Sequence, residues 1–131
     1  MLDLVIANGT LVTADAIAAC DLGIAAGRIA ALGTGLRGRE TIDAQGLLVL
    51  PGAVDEHVHL QMPVGEFCSS DDFATGTIAA AHGGTTTILD FVEPAPDEPL
   101  VPAFLARRAE ADGKVAIDYG PQGIRCNTIL P

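Results

Sequence analysis

Tryptophan is absent from this chain, and aromatic residues of any kind make up only 4% of it. A core must therefore come from Ala, Val, Ile and Leu, and a hydrophobic content of 49% supplies enough of them. Positive charge is scarce as well: seven Lys and Arg stand against seventeen Asp and Glu, for a net charge of −10. Nucleic acid and anionic membrane surfaces both need a Lys/Arg face, so neither is an expected partner. The acidic residues form no block, which reads as an ordinary solvated surface. Cysteines are few and odd in number, and Cys20, Cys68 and Cys126 show no C-x-x-C spacing. That argues against a disulfide framework and for a reducing, cytoplasmic setting. No apolar run approaches the ~20 residues of a bilayer span. No basic region precedes an apolar run at the N-terminus, so no signal peptide is expected. A length of 131 residues corresponds to one ordinary domain or a piece of a larger one.

What is present is concentrated in one stretch, Val49-Leu50-Pro51-Gly52-Ala53-Val54-Asp55-Glu56-His57-Val58-His59-Leu60. A strand points alternate side chains to opposite faces. Asp55, His57 and His59 then share one face, and Val54, Glu56, Val58 and Leu60 share the other. Two imidazoles two residues apart on a strand converge on one point, and imidazole suits zinc and its neighbours. A lone His-x-His is as readily a pair of surface histidines. The preceding apolar strand, the Pro51-Gly52 break and Asp55 tip the reading toward a metal site.

Residues 1–50 read as short strands about glycine-centred turns. Asn8-Gly9 is a hairpin signal between residues 4–7 and 10–13. Gly27-Arg28 turns residues 21–24 into 29–32, and Ala44-Gln45-Gly46 joins 41–43 to 47–50. The pattern predicts a small antiparallel sheet or half-sandwich, a packing module without a catalytic constellation. The Ala-rich residues 15–20 are read as either part of this or one helical turn. From Val54 the rhythm changes. A loop over residues 61–68 precedes a helix capped by Ser69 or Ser70, with Asp71 and Asp72 in its first turn. That helix runs through Phe73, Thr77, Ile78 and Ala81 and stops at Gly83-Gly84. A buried strand over 85–91, a second helix over 100–112 and a third strand over 115–119 complete a βαβαβ pattern. That implies a parallel sheet with right-handed crossovers, whose sites lie at the C-terminal strand ends.

The same residues carry a family resemblance. Asp55-Glu56-His57-Val58-His59 resembles the first barrel strand of the amidohydrolase superfamily. Three further stretches resemble its cyclic-amide hydrolases, of the dihydropyrimidinase or hydantoinase type. They are His59-Leu60-Gln61-Met62-Pro63, Ser70-Asp71-Asp72-Phe73-Ala74-Thr75-Gly76-Thr77 and Gly83-Gly84-Thr85-Thr86-Thr87-Ile88-Leu89-Asp90-Phe91. The opening Asp3-Leu4-Val5-Ile6-Ala7-Asn8-Gly9 is similar to the small β-domain of that family. The resemblance implies a (β/α)8 barrel beside a β-sandwich, with two zinc ions bridged by a carbamylated lysine. It further implies a metal-activated hydroxide that attacks the ring carbonyl and an aspartate that moves the proton. By resemblance His57 and His59 hold the more buried metal; Asp55 faces the same way and reads either as a partner behind a ligand or as a solvent-linked or capping carboxylate. Dihydroorotase-like members carry an Arg two residues after the second histidine, where this chain has Gln61. An acidic substrate wants a cation, so a neutral ring such as dihydrouracil or hydantoin is the expected substrate. An allantoinase or dihydroorotase relative is the alternative. Met62, Pro63, Val64 and Phe67 then form either an apolar gate or an ordinary loop.

Other residues restrain the reading. A whole barrel takes about 250 residues, against 131 in this chain. A zinc site needs at least three protein ligands, and only His57 and His59 stand in the right place. The candidates for a third are Asp90, Glu93, Cys68 or a partner subunit. Lys114, at the start of the third strand, is not assigned the bridging role, and His82 suits the end of a helix dipole. The last eleven residues depart from the family, since Gly123-Ile124-Arg125-Cys126-Asn127 resembles a segment of short-chain dehydrogenases. Neither a Gly-x-x-x-Gly-x-Gly loop nor a Tyr-x-x-x-Lys pair accompanies it, so no nicotinamide site is expected. The expectation is thus an α/β fold with a β-rich N-terminal module. Residues 1–50 form part of a β-sandwich, 51–120 the first units of an incomplete (β/α)8 barrel, and 121–131 a foreign-looking tail. The expected ancestry is a hydrolase of carbon–nitrogen bonds in cyclic amides, inactive as this chain alone, with no catalytic residue assigned. The alternative is a non-catalytic fragment or chimeric remnant that self-associates through exposed strand edges.

Overall fold

The computed structural model describes residues 1–120, and the tail expected at 121–131 lies outside them. The architecture is mixed α/β and rich in strands. The chain divides into two compact units after Pro51.

The first unit holds β1 (Leu2–Ala7), β2 (Thr10–Val12), β3 (Ile17–Ala19), β4 (Asp21–Ala25), β5 (Arg28–Gly33), β6 (Gly38–Asp43) and β7 (Leu48–Val49). They form two sheets, ordered β5-β4-β1-β6 and β3-β2-β7. Both are mixed, correcting the antiparallel expectation: β1 runs parallel to β6, and β2 parallel to β7. Asn8-Gly9 is not a hairpin either, since β1 and β2 lie in different sheets. Asn8 takes the left-handed conformation (φ 62°), but two aspartates turn it into a corner. Its N–H donates to Asp21 Oδ1 and its Nδ2 to Asp43 Oδ1, each at 2.9 Å. Gly9 is needed for room, because a Cβ there would lie 2.6 Å from Val49 Cγ2. The true hairpin joins β4 to β5, where Ala26 and Gly27 both have positive φ (50° and 70°), as a type I′ turn requires. The helical turn weighed for residues 15–20 is strand β3, in register Thr10↔Ala19 and Val12↔Ile17. Cross-strand pairing overrides the helix propensity of its alanines.

Asp21 ties this unit together. It is buried, and accepts from the backbone N–H of Asn8 at 2.9 Å and of Leu36 at 3.0 Å. The Asn8 and Leu36 bonds hold its carboxyl below the ordinary value of 3.8, against the opposing effect of burial. A depressed folded pKa gives stability that is complete above the unfolded value and lost as pH falls through the folded one. Urea melts of the first unit should therefore weaken below about pH 4. Asp21→Asn should flatten that acid limb; an unchanged limb would remove Asp21 from the explanation.

The second unit holds β8 (Ala53–Val58), β9 (Pro63–Val64), β10 (Phe67–Cys68), α1 (Phe73–His82), β11 (Thr85–Asp90), α2 (Leu100–Ala111) and β12 (Asp118–Tyr119). Its main sheet has the order β12-β11-β8, parallel throughout, which is the βαβαβ pattern of the sequence. Three details differ from expectation. The cap of α1 is Asp72, not Ser69 or Ser70: its Oδ1 accepts from Thr75 N at 2.7 Å while Thr75 Oγ1 accepts from Asp72 N at 3.2 Å. That reciprocal capping box leaves no acidic residue in the first turn. The loop after Leu60 contains the small hairpin β9–β10, turned at Gly65 (φ 62°). The third strand is only two residues long.

Leu60, Phe73, Ile88 and Ala111 form the core, with Val58, Val115, Ile117 and Tyr119 packed against it. Gly76 stands inside α1, where glycine costs about 1 kcal/mol relative to alanine, because Leu60 Cδ2 would lie 2.4 Å from a Cβ there. Val58 and Leu60 thus face the helices, and strand alternation turns His57 and His59 to the opposite face. Among the described residues, no helix is long and apolar enough to cross a membrane.

Candidate metal centre

His57 lies in β8 and His59 one residue beyond its end, the C-terminal end of a parallel strand. Their Nε2 atoms are 3.1 Å apart. Two nitrogens bound to one tetrahedral zinc, each at 2.0–2.1 Å, stand about 3.3 Å apart, so the pair fits a single ion with little movement. Phe91 flanks both rings, with centroids 4.4 Å from His57 and 5.2 Å from His59. It narrows the space in which either imidazole can turn.

Behind His59 stands Glu93, with Oε1 3.3 Å from His59 Nδ1. A carboxylate at Nδ1 favours the tautomer with its proton there, which leaves the Nε2 lone pair for a metal. Asp55 shares the strand, and its Oδ1 accepts from the backbone N–H of His57 at 3.2 Å. Its contact is with the backbone at the first histidine rather than with an imidazole nitrogen. Among the described residues no group of three or more His, Cys, Asp and Glu could hold a metal ion.

Asp90, weighed as a third ligand, faces the other way. Arg107 of α2 grips its carboxylate with both arms of the guanidinium, Nε to Oδ2 at 2.6 Å and Nη2 to Oδ1 at 3.0 Å. Arg107 Nη1 also donates to Glu110 Oε2 at 3.0 Å, and its guanidinium lies 4.5 Å from the centroid of Phe73. Burial disfavours the charge on Arg107, but Asp90 and Glu110 outweigh it and raise its pKa above the usual arginine range.

Between the β9–β10 loop, the end of β11 and α2 opens a cavity of about 430 Å³, and neither histidine is among its lining residues. Gln61, Cys68, Phe91, Glu93, Arg107 and Glu110 are among its lining residues. Arg107, the one cation of that lining, is already paired with two carboxylates. Cys68 is an exposed free thiol there. Pro63 lines the cavity too, while Val64 and Phe67 of the expected gate are exposed.

Sequence reasoning missed Phe91 and Arg107. Alternation along β11 carries the signal for the first, since Asp90 toward the helices puts Phe91 toward the histidines. For Arg107 the signal is a carboxylate on the helix face of a strand, which needs a cation from the helix that covers it.

The amidohydrolase family model matches residues 48–128. The D-hydantoinase of Geobacillus stearothermophilus is 51% identical over 117 residues, covering 88% of this chain and 25% of that protein. Dihydropyrimidinase 2 of Caenorhabditis elegans is 43% identical over 122 residues, covering 91% of this chain and 24% of that protein. A solved D-hydantoinase matches with a TM-score of 0.86 and 48% identity, over 92% of this chain and 26% of that one. The chain thus spans about a quarter of the length of the curated relatives it matches.

Proposed function

The chain belongs to the amidohydrolase family, and from that premise we propose that it carries part of the metal centre of a cyclic-amide hydrolase of hydantoinase type. The observation that carries the reading is the 3.1 Å separation of His57 Nε2 and His59 Nε2. They are the metal ligands, with zinc as the metal, and Asp55 steadies the strand beneath them. The second unit then corresponds to the first units of a (β/α)8 barrel, and residues 1–50 to part of a small β-sandwich. The free thiols Cys20 and Cys68 fit a reducing, cytoplasmic setting.

Zinc in this position supplies Lewis-acid polarisation of an amide carbonyl and an acidified water. The residues of this chain do the rest of what the site shows. Glu93 keeps a proton on His59 Nδ1, and Phe91 limits how far both imidazoles turn. Gln61, two residues after His59, carries an amide that both donates and accepts and so matches the –CO–NH– edge of a ring. The same position brings no cation, so a neutral ring such as dihydrouracil or hydantoin fits better than an acidic one.

One observation favours a second reading, a non-catalytic remnant: no third ligand joins the histidines among the described residues. For this chain alone both readings give the same expectation, no turnover of dihydrouracil above a His57→Ala/His59→Ala control. Substrate class is tested by chemical-shift titration of the zinc-supplemented chain. Dihydrouracil or hydantoin should move the resonances of Gln61 and Phe91, and dihydroorotate should move them less. A preference for dihydroorotate would contradict the neutral-ring reading, and no response to any ring would contradict the substrate reading altogether.

A further inference from the structure

The region behind the histidines extends the metal-ligand reading of His57 and His59, on which this inference rests. We propose that Asp90 and Arg107 are positioning residues for the His57–His59 pair, acting through the backbone of Leu60. Leu60 follows His59 directly. Its N–H donates to Asp90 Oδ1 at 3.2 Å, and its carbonyl accepts from Arg107 Nη2. The same arginine grips Asp90 with both arms. The N–H of Leu60 is thus tied to the carboxylate, and its carbonyl to the guanidinium, of one ion pair.

The position of His59 in the chain explains why such a clamp matters. Regular strand β8 ends at Val58, whose carbonyl accepts from Phe91 N–H at 3.1 Å. At Gln61 the backbone turns into the left-handed region, with φ 50°, and its N–H donates to Asp71 O at 2.7 Å. His59 sits between that strand-end bond and the turn, where the Asp90–Arg107 clamp at Leu60 holds the chain. The clamp itself is rigid. The Asp90 side chain is 0% exposed and that of Arg107 13%. The fully buried Phe73 ring underlies the guanidinium. Lysine, a point charge with rotatable donors, loses the planar two-point grip on Asp90 and so leaves the Leu60 carbonyl without a fixed donor.

The test compares the 131-residue chain with Arg107→Lys, Arg107→Ala, His57→Ala/His59→Ala and the control Arg108→Ala, whose arginine is exposed and 3.7 Å from Asp112. Zinc affinity is measured by competition with a chromophoric chelator. Without zinc, NMR reads the Leu60 amide exchange rate and the cross-peak between the His57 and His59 rings. Both Arg107 variants should weaken zinc about threefold or more. They should speed Leu60 exchange about tenfold and lose the ring cross-peak, while Arg108→Ala changes none of these. If Arg107→Ala fails to fold, Arg107→Lys decides. A folded Arg107→Lys with wild-type zinc affinity, Leu60 exchange and cross-peak would overturn the inference. Should the wild type bind zinc no better than the double histidine variant, the metal reading fails. Positioning is then judged by the zinc-free spectra: loss of the cross-peak and faster exchange uphold it, and their retention overturns it.

Discussion

Arg107→Ala is expected to destabilise the second unit by about 3–5 kcal/mol, the range for removing one partner of a buried ion pair. The size follows from what the arginine leaves behind. Asp90 becomes a carboxylate without its bidentate partner on a side chain that is 0% exposed. The Leu60 carbonyl loses a donor, and the Phe73 ring loses the guanidinium that lies 4.5 Å from its centroid. A domain has about 5–15 kcal/mol in total, so urea melts should start from cold, buffered chain. Arg108→Ala is the contrast: its partner Asp112 is 3.7 Å away and both are exposed, so a change within about 0.5 kcal/mol is expected. Replacing Asp90 and Arg107 together by leucine should not restore stability. Apolar substitution of a buried pair is often neutral, but here it would strip Leu60 of partners for both its N–H and its carbonyl. A double variant as stable as the wild type would show that these backbone bonds contribute little.

The second large effect concerns metal affinity. Glu93→Ala should weaken zinc binding about tenfold, the lower end of the 10–100-fold range for carboxylates that orient a ligating histidine. The lower end applies because the Glu93 side chain is 58% exposed and its contact with His59 Nδ1 is 3.3 Å long. Water replaces an exposed carboxylate in part. Competition titration measures the change, and Arg108→Ala, whose exposed arginine faces Asp112, should leave affinity unchanged. Equal affinities for wild type and Glu93→Ala would show that His59 is held by its backbone and Phe91 alone.

Much of this was legible in the sequence where one local pattern carries one meaning. Strand alternation put His57 and His59 on one face, and the helix-to-strand rhythm after Gly52 gave the parallel β8-α1-β11-α2-β12 order. Two of the misreadings have a common cause, since they depend on partners distant in sequence. Asn8-Gly9 has hairpin chemistry, but Asp21 and Asp43 bind Asn8 from 13 and 35 residues away. The alanines before Cys20 favour helix locally and pair as β3 only because β2 lies beside them. At the helix start two serines and two aspartates compete, and Asp72 wins because Thr75 is three residues on to close the capping box. At the site, the ligands were visible while their supports were not. Arg107 lies 47 residues beyond Leu60, and no periodicity connects them. Only the requirement that a buried carboxylate find a cation points from Asp90 to Arg107.

Zinc content after exhaustive dialysis against chelator-free buffer, in the wild type and in His57→Ala/His59→Ala, tests the pairing of the two imidazoles most directly. Zinc held by the folded wild type and lost in the folded double variant is the result expected from two Nε2 atoms 3.1 Å apart. Equal zinc in both folded proteins would contradict the assignment of His57 and His59 as metal ligands, and none in either would mean that the two histidines are only half of a site.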